Sequence, residues 1–224
     1  MKLYMHPIST TCRPVMFFIA DHGLDVEQEV VDIMTGKQFE PAFVAINPNC
    51  AVPVLEDGGF RLTESSAILK YLAEKIASPA YPSNLQDRAR VNEVMDWLNT
   101  GFYRSFGYGL CYGQLIDTYK NPDANGQKLA IECAQKSAAR FLSILNDHII
   151  GPERNNLCGN TMTLADYLGS GFISLGEVIG CTFADYPNIM RWYGAMKRRP
   201  NWQAANGGVY GWADYARGPD YVRV

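Results

Sequence analysis

The sequence has no long run of apolar residues. Across its 224 residues, no stretch approaches the roughly 18 consecutive apolar residues that indicate a membrane-spanning helix. Near the N-terminus, His6 and Pro7 interrupt any apolar stretch that a secretory signal peptide would use. We therefore expect a cytoplasmic protein without a membrane span or a signal peptide.

The sequence also has little excess of charge of either sign. Its 20 Lys and Arg residues stand against 23 Asp and Glu residues, and neither sign forms a long run. Proteins that bind nucleic acid or anionic membranes usually carry a basic patch. The composition therefore favours a small-molecule partner over nucleic acid or a membrane surface.

The sequence also lacks closely spaced cysteines and histidines. The chain has 6 cysteines and 3 histidines, but no C-x-x-C pair and no cysteine–histidine spacing typical of a zinc site. A chain of this length with 47% hydrophobic residues can bury a sizeable core without a disulfide framework. We expect reduced thiols and no metal site.

The first third of the sequence alternates between strand and helix periods, which is typical of a mixed α/β unit. Asp57-Gly58-Gly59 between two short apolar runs predicts a β-hairpin. In chain order the predicted elements are a strand at 2–5, a helix at 12–22, a strand at 26–31, a short helix at 39–46, strands at 52–55 and 60–62, and a helix at 64–76. The order β-α-β-α-β-β-α predicts a thioredoxin-like domain over residues 1–77, with helices packed on a four-stranded sheet.

The remainder of the chain has a helical period. Residues 78–85 contain two prolines and two serines and are interpreted as a linker. An all-α bundle is expected over 86–206, with helices at 86–115, 128–149 and 189–198 and another that begins at Thr163. Thr163 and Asp166 have the spacing of a capping box. Residues 207–224 form an aromatic, glycine-rich tail without a clear period.

The turn after the first strand contains the first candidate for chemistry. It reads Ile8-Ser9-Thr10-Thr11-Cys12-Arg13-Pro14. Two cysteines at the positions of Ser9 and Cys12 would indicate a thioredoxin-like redox site, but a serine cannot form that disulfide. Ser9 could serve as a helix N-cap alone, and the thiol of Cys12 could be activated by the same helix N-terminus.

Four motifs in order resemble the cytosolic glutathione transferases, with the serine-type theta and delta classes and their bacterial relatives most similar. The resemblance covers about residues 2–205 of this sequence. The motifs are Ser9-x-x-Cys12-Arg13, Asn47-Pro48 followed by Val52-Pro53-Val54-Leu55, Leu62-Thr63-Glu64-Ser65-x-Ala67-Ile68-x-x-Tyr71-Leu72, and Thr163-Leu164-Ala165-Asp166.

The resemblance implies that glutathione is the co-substrate and that Ser9 is catalytic. A thiol with a pKa near 8.5 is only a few per cent ionised at neutral pH. The Ser9 hydroxyl would donate a hydrogen bond to the glutathione sulfur, and the helix N-terminus would favour the thiolate. Lowering the pKa of the thiol by two units corresponds to about 2.7 kcal/mol, which these two contributions can supply.

The resemblance also implies the residues that bind the rest of glutathione. Val52-Pro53 would form a cis-proline turn whose backbone pairs with the cysteinyl residue. Glu64 and Ser65 would bind the γ-glutamyl end. Gln38, or Lys37 beside it, would bind the glycyl carboxylate. Cys50 and Ala51 stand where some serine-type relatives carry lysines, which puts the affinity for the glycyl end in question.

Aromatic residues in the second domain are candidates for the pocket of a small hydrophobic electrophile. An aromatic stripe at helical spacing is also common in a core. The candidates are Tyr103, Phe106, Tyr108, Tyr112, Tyr210 and Trp212. The resemblance further implies a homodimer, with the long helix after the linker as a contact surface.

The sequence therefore predicts a glutathione transferase that conjugates the thiolate to an apolar electrophile, as in detoxification. Two alternatives stay open: a glutathione-dependent disulfide reductase, and a non-catalytic glutathione-binding module with the same fold. A catalytic role for Cys12 is a further alternative, whereas a zeta-type isomerase is disfavoured because its longer serine–cysteine motif is matched only in part.

Overall fold

A four-stranded mixed sheet forms the centre of the N-terminal part of the protein. The structure is a computed structural model that describes residues 1–216, 218 and 220–224. Its strands are β1 (Lys2–Met5), β2 (Glu27–Val30), β3 (Val54–Asp57) and β4 (Phe60–Leu62). Their order is β2-β1-β3-β4, with β1 parallel to β2 and the other neighbours antiparallel. The central strands β1 and β3 carry the buried apolar residues, whereas β2 is an exposed edge.

Three α-helices complete this part of the fold, and the predicted order of elements is confirmed. They are α1 (Cys12–Asp21), α2 (Pro41–Val44), which follows a 3-10 turn at Lys37–Phe39, and α3 (Ser65–Lys75). The predicted hairpin joins β3 to β4, and both of its glycines have positive φ, 57° for Gly58 and 90° for Gly59. A two-residue turn of this kind suits glycine because L side chains disfavour positive φ.

The chain from Leu85 onward is helical. Its α-helices are α4 (Leu85–Trp97), α5 (Gly113–Leu115), α6 (Ala124–Ile144), α7 (Leu164–Val178), α8 (Pro187–Lys197) and α9 (Trp202–Ala216). Two π-helical segments, Leu98–Tyr112 and Leu145–Ile150, continue α4 and α6, and a 3-10 turn spans Asp117–Tyr119. Among the described residues, no helix has the length and apolar character needed to cross a membrane.

The central helix of this part is α7, in which every residue except Glu177 is buried. The predicted capping box starts it: Thr163 N and Thr163 Oγ1 both donate to Asp166 Oδ2, at 2.8 and 3.1 Å. The other oxygen of Asp166 accepts from Leu157 N at 2.8 Å and from Trp192 Nε1 at 2.9 Å. Asp166 therefore fixes the start of α7 to a loop and to α8, and its role is structural.

The C-terminal segment differs from the sequence prediction. The sequence predicts an irregular tail from residue 207, but α9 continues to Ala216. Its buried residues have helical spacing, which the interspersed glycines concealed: Trp202, Ala205, Asn206, Val209 and Ala213. Gly208 lies so close to the turn after β1 that a Cβ there would stand 3.2 Å from Pro7 Cβ. The glycine thus allows α9 to pack against that turn.

Candidate active site

The turn between β1 and α1 places Ser9 at the N-terminus of α1. Ser9 Oγ accepts a hydrogen bond from Cys12 N at 3.3 Å and lies 3.2 Å from Thr11 Oγ1. Thr11 uses its one hydroxyl proton to donate to Val52 O at 3.0 Å. Because a threonine hydroxyl has a single proton, Ser9 is the donor towards Thr11. The Ser9 hydroxyl can therefore donate its hydrogen bond to another acceptor that binds at this helix N-terminus.

The same hydrogen bond connects the Ser9 turn to the second predicted binding element. Val52 and Pro53 are joined by a cis peptide bond, the isomer that the family resemblance implies and that the residues alone left open. Thr11 was not among the predicted site residues. The signal available in the sequence was only its position between Ser9 and Cys12, and its partner Val52 lies 41 residues further along the chain.

Glu64 and Ser65 lie at the start of α3. Glu64 has φ of 66° and ψ of 115°, a conformation that L residues rarely adopt, and Ser65 is buried at the first helical position. A non-glycine residue in such a region costs about 1–3 kcal/mol and persists only where the surroundings hold it. The exposed backbone amides at this helix N-terminus favour an anionic group nearby.

Gln38 lies in the 3-10 turn before α2 and is half-buried, whereas its neighbour Lys37 is exposed. The Gln38 side-chain oxygen is buried and has no hydrogen-bond partner within the described part of the chain.

Tyr103, Tyr108 and Tyr112 form a cluster on the π-helical segment after α4. Their ring centroids are 4.9 to 6.1 Å apart. Tyr119, which the sequence did not single out, joins them at 5.5 Å from Tyr108 and 5.8 Å from Tyr112. We call these four residues the tyrosine cluster. Tyr112 and Tyr119 are stacked and the other ring contacts of the cluster are edge-to-face, which are both arrangements that aromatic rings favour.

A chain of hydroxyl groups joins the tyrosine cluster to the Ser9 turn. Tyr103 Oη and Tyr112 Oη are 2.9 Å apart, and Tyr112 Oη donates to Thr10 Oγ1 at 2.7 Å. Burial raises the pKa of Tyr112 to about 12 and that of Tyr103 well above its usual value. Both hydroxyls therefore stay protonated at neutral pH. Thr10 is the residue next to Ser9, so this hydrogen bond joins the tyrosine cluster to the turn that contains Ser9.

The other predicted aromatic residues lie elsewhere. Phe106 is fully buried and stacks on Phe102 at 5.1 Å, so it is a core residue. Tyr210 accepts a hydrogen bond from Trp202 Nε1 at 3.1 Å and has Lys197 Nζ 5.7 Å from its ring centre, so it faces α8. Trp212 is half-buried one half-turn further along α9.

Cys12 is completely buried, and burial raises the pKa of its thiol to about 12. The hydrogen bond to Ser9 opposes this rise without overcoming it. A thiol of this kind is protonated at neutral pH and is a poor nucleophile. The geometry therefore does not support the alternative in which Cys12 carries out the chemistry. The described residues also contain no cluster of three or more His, Cys, Asp and Glu side chains suited to a metal ion.

Comparison with known families agrees with this arrangement. The family model for the glutathione S-transferase N-terminal domain matches residues 1–74, and the model for the C-terminal domain matches residues 113–200. The chain belongs to the glutathione S-transferase family. This glutathione transferase is 32% identical to human glutathione S-transferase theta-1 over 195 residues, which cover 86% of this chain and 80% of the human protein.

Two solved human structures share the fold of this glutathione transferase. One is glutathione transferase theta-2 in complex with glutathione and an unknown ligand, and the other is a theta-class enzyme in complex with the glutathione conjugate of 1-menaphthyl sulfate. Each has a TM-score of 0.86 and 28% sequence identity, and covers 98% of this chain and 94% of its own. The chain is accordingly an enzyme, and glutathione is its co-substrate.

Proposed function

We propose that Ser9 activates the thiol of glutathione and that the sulfur is transferred to an apolar aromatic electrophile held beside the tyrosine cluster. The observation that carries this proposal is the 2.7 Å hydrogen bond from Tyr112 to Thr10, because it joins an aromatic surface to the turn that holds the Ser9 proton. The turn that would activate glutathione and the aromatic surface that would hold the electrophile are thereby adjacent. The turn comes from the N-terminal part of the fold and the aromatic surface from the helical part.

The first step is ionisation of the thiol. Ser9 redirects its proton from Thr11 to the glutathione sulfur, and the N-terminus of α1 favours the negative charge. The thiol proton passes to solvent. Val52, through its backbone at the cis-proline turn, pairs with the cysteinyl residue in the manner of an added strand.

The ends of glutathione are bound by groups around this centre. The amide and hydroxyl of Ser65 at the start of α3 bind the γ-glutamyl carboxylate, and Glu64 binds its ammonium group. The rare backbone conformation of Glu64 supports this assignment, since such strain is concentrated at functional sites. The side-chain amide of Gln38 donates to the glycyl carboxylate, with Lys37 as the neighbouring cation.

The second step is nucleophilic attack. The thiolate sulfur forms a bond to an electrophilic carbon, and the leaving group departs with the electron pair of the bond that breaks. The tyrosine cluster presents ring faces to an aromatic substrate. The hydroxyl of Tyr108, whose pKa is raised by burial, can donate to a leaving group as it becomes negative. The ligand of the human theta-class structure, a conjugate of 1-menaphthyl sulfate, is a product of this type of reaction.

A conjugation assay tests the proposal. The purified protein is incubated with glutathione and one aromatic electrophile at a time: 1-menaphthyl sulfate, an aryl halide or an apolar aryl epoxide. The products are identified by mass spectrometry. We expect enzyme-dependent conjugates with at least one of these aromatic electrophiles. Reduction of a mixed glutathione disulfide without any conjugation would favour the disulfide reductase, and binding of glutathione without either reaction would favour the non-catalytic module.

A pair of variants tests the position of the electrophile. Tyr108→Ala removes a partly exposed ring of the tyrosine cluster, and we expect KM for the electrophile to rise about fivefold, as roughly 1 kcal/mol of aromatic contact is lost. The matched control is Tyr215→Ala, which removes a tyrosine that is 90% exposed on α9. Equal KM values for the two variants would place the electrophile elsewhere.

A further inference from the structure

A buried cation lies directly behind the Ser9 turn. Arg13, on the first turn of α1, has no exposed surface. Its guanidinium donates to three neutral oxygens: Ser174 Oγ at 2.6 Å and Gly171 O at 3.3 Å, both on α7, and Asn206 Oδ1 of α9 at 2.9 Å. Its Nε is buried without a hydrogen-bond partner in the described part of the chain.

The described surroundings of Arg13 consist of neutral hydrogen-bond acceptors and tyrosines. Within the described ranges, no carboxylate forms an ion pair with it. The titratable groups that act on the Arg13 guanidinium are four tyrosines: Tyr193, Tyr112, Tyr210 and Tyr103. Tyr193 donates onward to Glu177, whose other oxygen pairs with Lys197 at 2.6 Å. Burial lowers the pKa of Arg13, yet a guanidinium stays protonated at neutral pH.

This arrangement is unusual because a buried charge is normally paired with an opposite charge. The three acceptors around Arg13 are neutral, and an uncharged amide side chain could also donate hydrogen bonds to them. A role in joining α1 to α7 and α9 therefore does not explain why this residue is charged. A negative ion that forms nearby during the reaction does explain the positive charge of Arg13. Arg13 N donates to Ser9 O at 3.1 Å, so the two residues lie within one helical turn.

The charge of Arg13 reaches Cys12, whose backbone N donates to Ser9, and Tyr112, which donates to the residue after Ser9. Burial raises the pKa of Cys12 and of Tyr112, and in both cases the positive charge of Arg13 opposes the rise. Tyr112 is the residue that donates to Thr10, next to Ser9. The field of the guanidinium therefore favours anions at the position where the proposed thiolate forms.

We infer that Arg13 stabilises the glutathione thiolate through space as its buried countercharge, and that Asn206 keeps this charge available by binding it with a neutral oxygen. This inference rests on the proposed role of Ser9. Arg13 is a positioning residue in this account, since it acts across the helix turn and not by contact with the sulfur.

Asn206→Asp tests the inference without altering either Ser9 or Arg13. The substitution preserves the shape of the side chain but places a carboxylate against the guanidinium, which neutralises its field. We expect the pKa of the bound glutathione thiol, followed by the ultraviolet absorbance of the thiolate, to rise by roughly half a unit to one unit. Below that pKa, kcat/KM falls about three- to tenfold in proportion to the thiolate fraction.

Two comparisons separate this effect from structural damage. Gln203→Glu adds the same charge on the exposed side of α9 and should leave the pKa of the thiol unchanged, because water screens it. Affinity for S-methylglutathione, which has no thiol to ionise, should be equal in all folded variants. If Asn206→Asp does not fold, Arg13→Lys and Arg13→Met replace it: the lysine variant should keep the low pKa of the thiol and the methionine variant should lose it.

The outcomes are distinct. If Asn206→Asp binds S-methylglutathione normally and ionises the glutathione thiol at the same pH as the wild type, the inference is wrong and Arg13 serves only as a clamp between helices. Equal pKa values for the lysine and methionine variants lead to the same conclusion. If the wild-type protein itself does not ionise the thiol near neutral pH, the proposed function fails, and this is seen before any variant is made.

Discussion

Among single residues, Ser9 lies in a local turn at the start of α1, whereas the buried guanidinium of Arg13 is held by residues of α7 and α9. The place of Ser9 at a helix N-terminus was predicted because it follows from a short motif, whereas the cis bond before Pro53 was implied by the family resemblance and left open by the residues themselves. The setting of Arg13 was not predicted, because its partners Ser174 and Asn206 lie 161 and 193 residues away. Phe106 was predicted to line a pocket but lies in the core. The spacing of apolar residues alone does not show which face of a buried helix lines a pocket and which packs in the core.

The burial of Cys12 leads to a prediction at this scale. Because its pKa is raised to about 12, we expect Cys12 to resist alkylation by iodoacetamide in the native protein, while the exposed Cys133 is modified readily. Peptide mapping by mass spectrometry after limited alkylation measures both. Modification of Cys12 at the rate of Cys133 would contradict the structure and restore Cys12 as a candidate nucleophile.

At the scale of elements, most helices and strands are predicted by their periods, and the exception is α9. Three glycines within it, Gly207, Gly208 and Gly211, lower the helix propensity that the sequence shows. Packing against α1 and α7, which only the folded chain supplies, offsets this cost. Tertiary contacts thus decide the one element that local preference disfavours.

The start of α7 provides a stability prediction. Asp166→Ala removes a buried carboxylate that accepts from Leu157, Thr163 and Trp192, and leaves those donors without a partner. We expect a loss of roughly 3 kcal/mol or more in the free energy of unfolding, measured by urea denaturation. Asp185→Ala, which removes an exposed carboxylate, is the control and should change the free energy by less than about 0.5 kcal/mol. Similar values for both variants would contradict the capping role.

At the scale of the whole molecule, the proposed site depends on the contact between the N-terminal and helical parts. Ser9, Val52 and Ser65 come from the first part, and the tyrosine cluster comes from the second. Arg13 and the hydrogen bond from Tyr112 to Thr10 cross between them. The sequence predicted both parts and their order, but not the groups that join them.

We predict that the protein forms a homodimer with α4 as a contact surface. The ion pair between Arg88 and Glu74 holds the first turn of α4 beside the end of α3, where Ile76 and Leu85 are exposed. We expect sedimentation of the protein at twice its mass of 25.0 kDa. Leu85→Lys should weaken this dimer, whereas Leu129→Lys, at an exposed leucine of α6, should not. Sedimentation of the wild type as a monomer would contradict the prediction.

If Ser9 lowers the pKa of the glutathione thiol, glutathione releases a proton when it binds near neutral pH, and calorimetry measures this release. Glutathione is titrated calorimetrically into the wild-type and Ser9→Ala proteins near neutral pH, in buffers of different ionisation enthalpy, with S-methylglutathione as the control ligand. We expect glutathione to release a proton on binding to the wild type and this release to be largely lost in Ser9→Ala. S-methylglutathione should release none from either protein. Equal proton release by both proteins would show that Ser9 does not activate the thiol.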